Sequence, residues 1–310
     1  MKDKKAKGLV IYHSADMDGH LSGFICGMGL REKRGIDDIE YLGYDYHEPV
    51  EKVIDRINEL RKEYSLYVTM SDISLESKDG RNRMDEIEDL KYDFDDWIEC
   101  FIWIDHHKTA IESNSDKING VRKDGIAACM LSWNYFFNPL EPSDAVTLAA
   151  QYDVWNKDGV FIWDSEVIPA QYYFRSLNTN PDSEEGRENI GFLLNTTFDQ
   201  LIKNGKTILS YEKEQAKRTH FFEVEFEGEK FICANKKQGS SLFEFAEKKG
   251  DSLMAFSVGD YGFSFSLYAG EKDVDLSAIA KKWGGGGHKK ACGFKTDFCD
   301  GVEIIKGGFK

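Results

Sequence analysis

The chain has 310 residues, and its 40 basic and 55 acidic side chains give a formal net charge of −15. That length suggests two domains, and 41% hydrophobic with 13% aromatic residues supplies a real core and argues against global disorder. The charge excludes a general nucleic-acid coat, because nonspecific affinity comes from cations that neutralise phosphates. Residues 8–12 (GLVIY) open the pattern as a short apolar strand, followed by polar residues and a helix from about Leu21 to Arg34. A weaker strand lies at 39–44 (IEYLGY), a helix-compatible stretch at 49–63, and a second strong strand at 66–70 (LYVTM). Another helix-compatible stretch, 81–92, precedes a third strong strand at 100–104 (CFIWI). Short apolar strands alternating with helices predict a parallel α/β sheet with helices on both faces, which binds ligands outside the carboxyl ends of its strands.

The chemistry-bearing residues fall at those ends. The first strand runs into His13-Ser14-Ala15-Asp16-Met17-Asp18-Gly19, the second strong strand into Asp72, and the third into Asp105-His106-His107. A helix at 142–152 then runs into Asp153. Taken alone, Asp16, Asp18 and Gly19 fit an ordinary loop and helix cap, and a lone His-His pair is more often structural. Their joint placement at successive strand ends is what points to a site. Carboxylates converging on one edge need a counter-charge. Aspartates with imidazoles and no adjacent cysteine suit Mn²⁺ or Mg²⁺, and four aspartates would balance two divalent ions.

Beyond Trp155 the aromatic stretch FIWDSEVIPAQYYFRSL reads as an irregular, packed extension of the first domain. Residues 196–219 read as an amphipathic helix with a weak break at Gly205. From there FFEVEFEGEKFICAN (221–235) alternates around a turn, and 251–270 gives two more strands around Gly259-Asp260, so a smaller α+β domain is expected. The division expected is a domain at 1–195, a connecting helix at 196–221 and a second domain at 222–310. Residues 231–310 hold 12 lysines and 10 acidic residues, which leaves the acidic excess in the first part. Gly284–Gly287, followed by His288 and Lys289, read alone as a flexible turn, although such a run also lets backbone N–H groups approach an anion.

The segment IWIDHHKTA (102–110) resembles the signature of the DHH phosphoesterase superfamily. HSADMDG (13–19) resembles its first motif, SDIS (71–74) its second and QYDVW (151–155) its fourth. WGGGGHKKACGF (283–294), with VDLSAIAKK before it and ANKKQGSSLFEFA (234–246) earlier, resembles the DHH-associated C-terminal domain of oligoribonuclease-like members. The resemblance implies one metal held by His13, Asp16 and Asp72, and a second by Asp18, Asp72, His106 and Asp153, with Asp72 bridging. It implies that Asp105 orients a histidine ring and that His107 meets the scissile phosphate as donor or acid. It also implies that Gly285, Gly286, Gly287, His288, Lys289, Ser241 and Tyr268 bind substrate. Tyr268 stands in Ser266-Leu267-Tyr268-Ala269, where relatives often carry Ser-x-Arg-Ser, and no arginine follows Arg218.

The activity implied is a two-metal phosphodiesterase, exonuclease-like, acting on short oligonucleotides or dinucleotides, with Mn²⁺ ahead of Mg²⁺ as cofactor. The alternatives are a phosphomonoesterase on nucleoside bisphosphates, a polyphosphate hydrolase, or a silent nucleotide sensor; the intact aspartates and histidines argue against the last. The expected partner is a short single-stranded RNA or DNA or a small nucleotide, not long duplex and not a membrane; a homodimer is left open. No run of 18 apolar residues, no evident leader and six scattered cysteines without a C-x-x-C pair suggest reduced thiols and a cytoplasmic location.

Overall fold

The computed structural model describes residues 4–46, 48–75, 84, 98–112, 118–236, 252–270 and 273–306. The chain divides into two compact units, Met1–Leu209 and Ser210–Lys310. In the first, β1 (Lys5–His13) leads into α1 (Met17–Arg34), β2 (Ile39–Tyr44), α2 (Glu51–Glu63), β3 (Tyr64–Ser71) and β4 (Ile98–Asp105). A short α3 (Lys108–Glu112), β5 (Asn119–Arg122), α4 (Ala128–Phe137) and α5 (Asp144–Asp153) follow. Except for Met84, the stretch 81–92 read as helical lies outside the described residues.

The five strands are all parallel, in the order β2-β1-β3-β4-β5. The apolar runs are continuous because both faces are covered. Val10 and Tyr12 join one core with Leu21 and Ile25 of α1, while Leu9 and Ile11 join another with Val53 and Ile57 of α2. In β4 the same alternation splits Ile102 and Ile104 from Phe101 and Trp103. Each such aliphatic side chain contributes about 1.5–3 kcal/mol on burial. β2 and β3 lie on opposite sides of β1, so the chain reverses direction across the sheet at the β1/β3 junction. That is the place where sheets of this order bind ligands.

The aromatic stretch after Trp155 is not irregular. A π-helical turn at Trp163–Val167 runs directly into α6 (Ile168–Arg175), the Ile168 N–H donating to the Trp163 carbonyl and Pro169 standing just after the junction. Then come α7 (Glu184–Leu194) and α8 (Phe198–Lys217). Gly205 does not break α8: a Cβ there would sit 2.2 Å from the Pro169 carbonyl oxygen, so the glycine permits a close crossing.

The second unit holds β6 (Phe222–Phe226), β7 (Glu229–Asn235), β8 (Ser252–Gly259), β9 (Gly262–Tyr268), α9 (Ser277–Lys282), β10 (Gly286–His288), β11 (Ala291–Thr296) and α10 (Phe298–Lys306). Its strands form one sheet, β10-β11-β9-β8-β7-β6, antiparallel except for β7 with β8. Both expected hairpins are present, and Glu227-Gly228, both at positive φ, make the first turn. Among the described residues, no helix is long and apolar enough to cross a membrane.

Candidate metal centre

The Asp-x-Asp-Gly turn is built by close packing of α1 on β1. Asp16 caps α1, its Oδ1 accepting from the Gly19 N–H at 3.0 Å. A Cβ on Gly19 would lie 2.0 Å from the His13 carbonyl oxygen, so only glycine lets the helix start this close to the strand end. Asp16 Oδ2 is left facing His13 Nδ1 at 3.5 Å. Asp16 is therefore both the ordinary cap and a member of the cluster.

Asp72 follows β3 with φ 61°, a conformation that strains most side chains and that aspartate tolerates best. Its N–H donates to the Ile104 carbonyl at 2.9 Å, and Trp103 Nε1–H holds the next residue, Ile73, through its carbonyl at 3.0 Å. Asp72 is almost wholly buried. Its Oδ2 lies 3.4 Å from His13 Nδ1, and its Oδ1 lies 3.2 Å from His106 Nε2. His106 Nε2 is also 3.4 Å from Asp153 Oδ2 and 3.7 Å from Asp18 Oδ2. Two donor groups with no shared residue result, His13, Asp16 and Asp72, and Asp18, His106 and Asp153; a third, Asp72, His106 and His107, overlaps both. These are the residues that the sequence motifs single out, brought together from the ends of β1, β3, β4 and α5.

The cluster is short of positive charge. Six buried side-chain polar atoms among the described residues lack a hydrogen-bond partner, and His13 Nδ1, Asp72 Oδ1, Asp105 Oδ2 and Asp153 Oδ2 are four of them. Such atoms are costly unless a ligand satisfies them. Burial and then the Asp72 charge push the Asp18 and Asp153 carboxyls above the usual carboxylate range. Burial pulls the His13 imidazole down, but the neighbouring Asp72 and Asp16 outweigh it and lift His13 to about 9. His106 moves up for the same reason, against burial and through Asp72 and Asp18. Asp72 itself moves down, because His106 and His13 outweigh its burial. A divalent cation answers each of these tendencies, and an oxygen-rich set with imidazoles suits Mn²⁺ or Mg²⁺.

Asp105 organises the histidine pair. It is fully buried, and its Oδ1 accepts from the His106 N–H at 2.7 Å, the His107 N–H at 3.0 Å and His107 Nδ1 at 2.8 Å. The ring it orients is thus that of His107. A carboxylate can only accept, so Nδ1 carries the proton and Nε2 is the remaining reactive atom. Burial lowers the His107 pKa, but Asp105 raises it by more, which favours a protonated ring.

Several contributors escaped the sequence reading. Asp18 Oδ2 and Oδ1 accept from the Ala128 and Cys129 N–H groups, at 2.8 and 2.9 Å, at the start of α4. The Tyr46 ring stands 5.8 Å from that of His13 and 6.2 Å from that of His107. His20 bridges the Ser14 carbonyl and Thr179 Oγ1, at 3.1 and 2.9 Å, and the Tyr12 hydroxyl donates to Asn180. These contacts join residues up to 168 apart, and neither spacing nor residue type announces them.

The expected substrate-binding residues lie in the second unit. The glycine run is not an open loop. Gly284 N–H donates to the Lys281 carbonyl and Gly285 N–H to the Ala280 carbonyl, capping α9, while Gly286–His288 form edge strand β10. A Cβ on Gly285 would lie 2.0 Å from the Gly293 carbonyl oxygen, whereas one on Gly286 would meet nothing within 4 Å. Lys289 Nζ pairs with Asp273 at 2.8 Å, and Tyr268 ends β9 opposite Ala291 and Leu253. Ser241 lies outside the described residues.

No protein-family model matches the chain. An uncharacterised protein of Acanthamoeba polyphaga mimivirus is 25% identical, covering 98% of this chain and 73% of its own length. Among solved structures, the DHH domain of a member of a family of ribosomal proteins superposes with a TM-score of 0.59 at 15% identity, over 98% of this chain and 85% of that one. The chain shares the fold of that DHH domain. A pGpG-specific phosphodiesterase from Vibrio cholerae superposes with a TM-score of 0.51 at 11% identity, over 98% and 97% of the two chains. The expected parallel sheet and smaller mixed sheet are both present, and Asp105-His106-His107 stands at the end of β4.

Proposed function

We propose that the chain is a metal-dependent phosphodiesterase that hydrolyses short nucleotide substrates, such as short oligonucleotides or dinucleotides. The observation that carries this reading is the pair of donor groups around Asp72, with buried nitrogen and oxygen atoms turned toward one another and lacking partners. The DHH fold, shared with a phosphodiesterase, adds to it. When bound, two divalent cations supply Lewis-acid polarisation of a phosphoryl group and an activated water. Asp72 lies between the two donor groups and holds them in register. Asp105 fixes the His107 ring so that Nε2 donates a hydrogen bond, or a proton, to an oxygen of the phosphate. The Asp-x-Asp-Gly turn keeps Asp16 and Asp18 at the mouth of β1.

In the second unit, Gly286 and His288 on β10, Lys289 after them and Tyr268 two strands away on β9 are assigned to substrate binding. The test is a labelled panel of short RNA, short DNA, linear and cyclic dinucleotides, adenosine bisphosphate, pyrophosphate and polyphosphate, with Mn²⁺ or Mg²⁺. Release of a mononucleotide from a dinucleotide or short RNA is expected, and Asp72→Ala and His107→Ala should each abolish it. Exclusive turnover of polyphosphate or adenosine bisphosphate would sink the reading, as would nucleotide binding without turnover.

A further inference from the structure

α5 ends at Asp153, and two residues later Trp155 adopts φ 54°. Among the described residues other than glycine, only Asp72 and Glu227 share a positive φ. For a bulky aromatic residue this backbone is strained. The turn is held by its own main chain: the Trp155 N–H donates to the Tyr152 carbonyl and the Asn156 N–H to the Gln151 carbonyl, both at 3.0 Å. None of that requires an indole, and glycine or asparagine would carry the turn with less strain. Burial does not explain the ring either, since Trp155 remains 59% exposed while neighbouring Trp163 is 9% exposed.

The ring is nevertheless fixed. It meets Trp163 at 5.0 Å and 63° and Tyr152 at 5.7 Å and 60°, while those two stack on each other at 5.6 Å and 6°. Lys157 Nζ lies 5.6 Å from the Trp155 ring and the Arg175 guanidinium 5.3 Å from that of Tyr152, so two cations accompany the rings. Trp155 follows Asp153 by two residues, so the turn that carries the ring begins directly after a member of the cluster.

We propose that the Trp155 ring, backed by Tyr152 and Trp163 and accompanied by Lys157, receives the base of the nucleotide whose phosphate is held at the Asp72 cluster. The proposal rests on the phosphodiesterase reading above. Stacking on an aromatic face tolerates every base, because every base has a π-face, so the platform gives affinity for nucleotides without sequence preference. Lys157 complements the phosphate charge.

The experiment is calorimetric titration of the Mn²⁺-loaded protein with adenosine 5′-monophosphate and with ribose 5-phosphate, which differ only in the base. The expected margin in favour of the nucleotide is about 10-fold or more. Trp155→Asn, which suits the left-handed turn and removes the ring, should erase the margin, with Trp155→Gly as the second ring-deleting variant. Trp155→Tyr should keep most of it. No margin in the parent protein, or a margin unchanged in either ring-deleting variant, overturns the platform. Dinucleotide hydrolysis measured in parallel separates the two readings. A Trp155-dependent margin without hydrolysis overturns the phosphodiesterase and keeps the base site, whereas hydrolysis with an unchanged margin does the reverse.

Discussion

Asp105 places one buried carboxyl oxygen against three N–H groups of the two histidines that follow it. A group that orients others in this way typically contributes 10–100-fold to metal affinity or activity without touching the metal. Asp105→Asn is therefore expected to lower dinucleotide hydrolysis by about 10–100-fold. The Nδ1 resonance of His107 should also titrate at lower pH once the neighbouring negative charge is gone, which NMR of the ¹⁵N-labelled ring would read. An unchanged rate would remove Asp105 from the machinery. The motif resemblance assigned this residue an orienting role, and the fold identifies His107 as the ring it holds. The strained backbone of Asp72 could not be anticipated. It follows the end of β3, where the Asp72 N–H is held by the Ile104 carbonyl of β4.

Helix α4 begins at Ala127-Ala128, without any capping side chain of its own. Its cap comes from α1: Asp18, 110 residues earlier, accepts the first free N–H groups and meets the positive end of the helix. Asp153 is different. It closes α5 with an unpartnered Oδ2, and burial together with the Asp72 charge raises its pKa. Burial and Asp72 raise Asp18 in the same way, so what is predicted to separate the two carboxylates in metal-free protein is the cap that Asp18 provides. Asp18→Ala should destabilise it by about 1–2 kcal/mol through loss of the cap. Asp153→Asn should raise its melting temperature at pH 8, because a crowded negative charge is removed. Both should abolish hydrolysis. Chemical denaturation in chelator reads the difference, and equal destabilisation by both substitutions would contradict the assignment. The segment 156–175 teaches the complementary lesson. Its mixed aromatic sequence has no clean period, yet from Trp163 to Arg175 it folds as helix, packed against α5 and α8.

The whole molecule carries its acidic excess in the first part of the sequence, and the Asp–His cluster gathers Asp16, Asp18, Asp72 and Asp153 from it. His13, with an ordinary value of 6.5 and lifted to about 9 in the folded protein, gives stability that is fully present below 6.5 and lost as pH rises through 9. His106, also raised, acts in the same direction. Asp18 and Asp153 are raised as well, but from the lower unfolded carboxylate value, so the loss of their contribution begins at lower pH. Chelated protein should therefore lose stability between pH 6.5 and 9, by up to about 3 kcal/mol from His13 alone. Saturating Mn²⁺ should flatten or reverse that slope, because cations bind the deprotonated ligands. Melting curves across this window check it, and a metal-free protein that grows more stable toward pH 9 would refute it. The charge of −15 bears on substrate size as well. A large excess of long duplex DNA should leave dinucleotide hydrolysis unchanged at physiological salt; competitive inhibition would show a binding track that the charge distribution does not suggest.

Much of this protein is local in origin. The short apolar runs, the polar residues after them and the alternation around 221–235 follow from side-chain chemistry over a few residues, so sheet, hairpins and candidate ligands were readable in order along the chain. The motif residues were readable too, since chemistry at strand ends requires particular residue types at particular offsets. What had no local cause had to wait for the fold. The α4 cap, the His20 bridge to Thr179, the Tyr46 ring between two histidines and the indole of Trp155 all depend on contacts across long sequence separations or on a backbone angle. The glycine run shows both sides: alone it reads as a flexible turn, and the resemblance makes it a substrate loop, but packing of β10 on β11 and capping of α9 take up most of it. A sequence states which groups are available, while their distances and their unmet hydrogen bonds exist only once packing has excluded water and brought distant strand ends together.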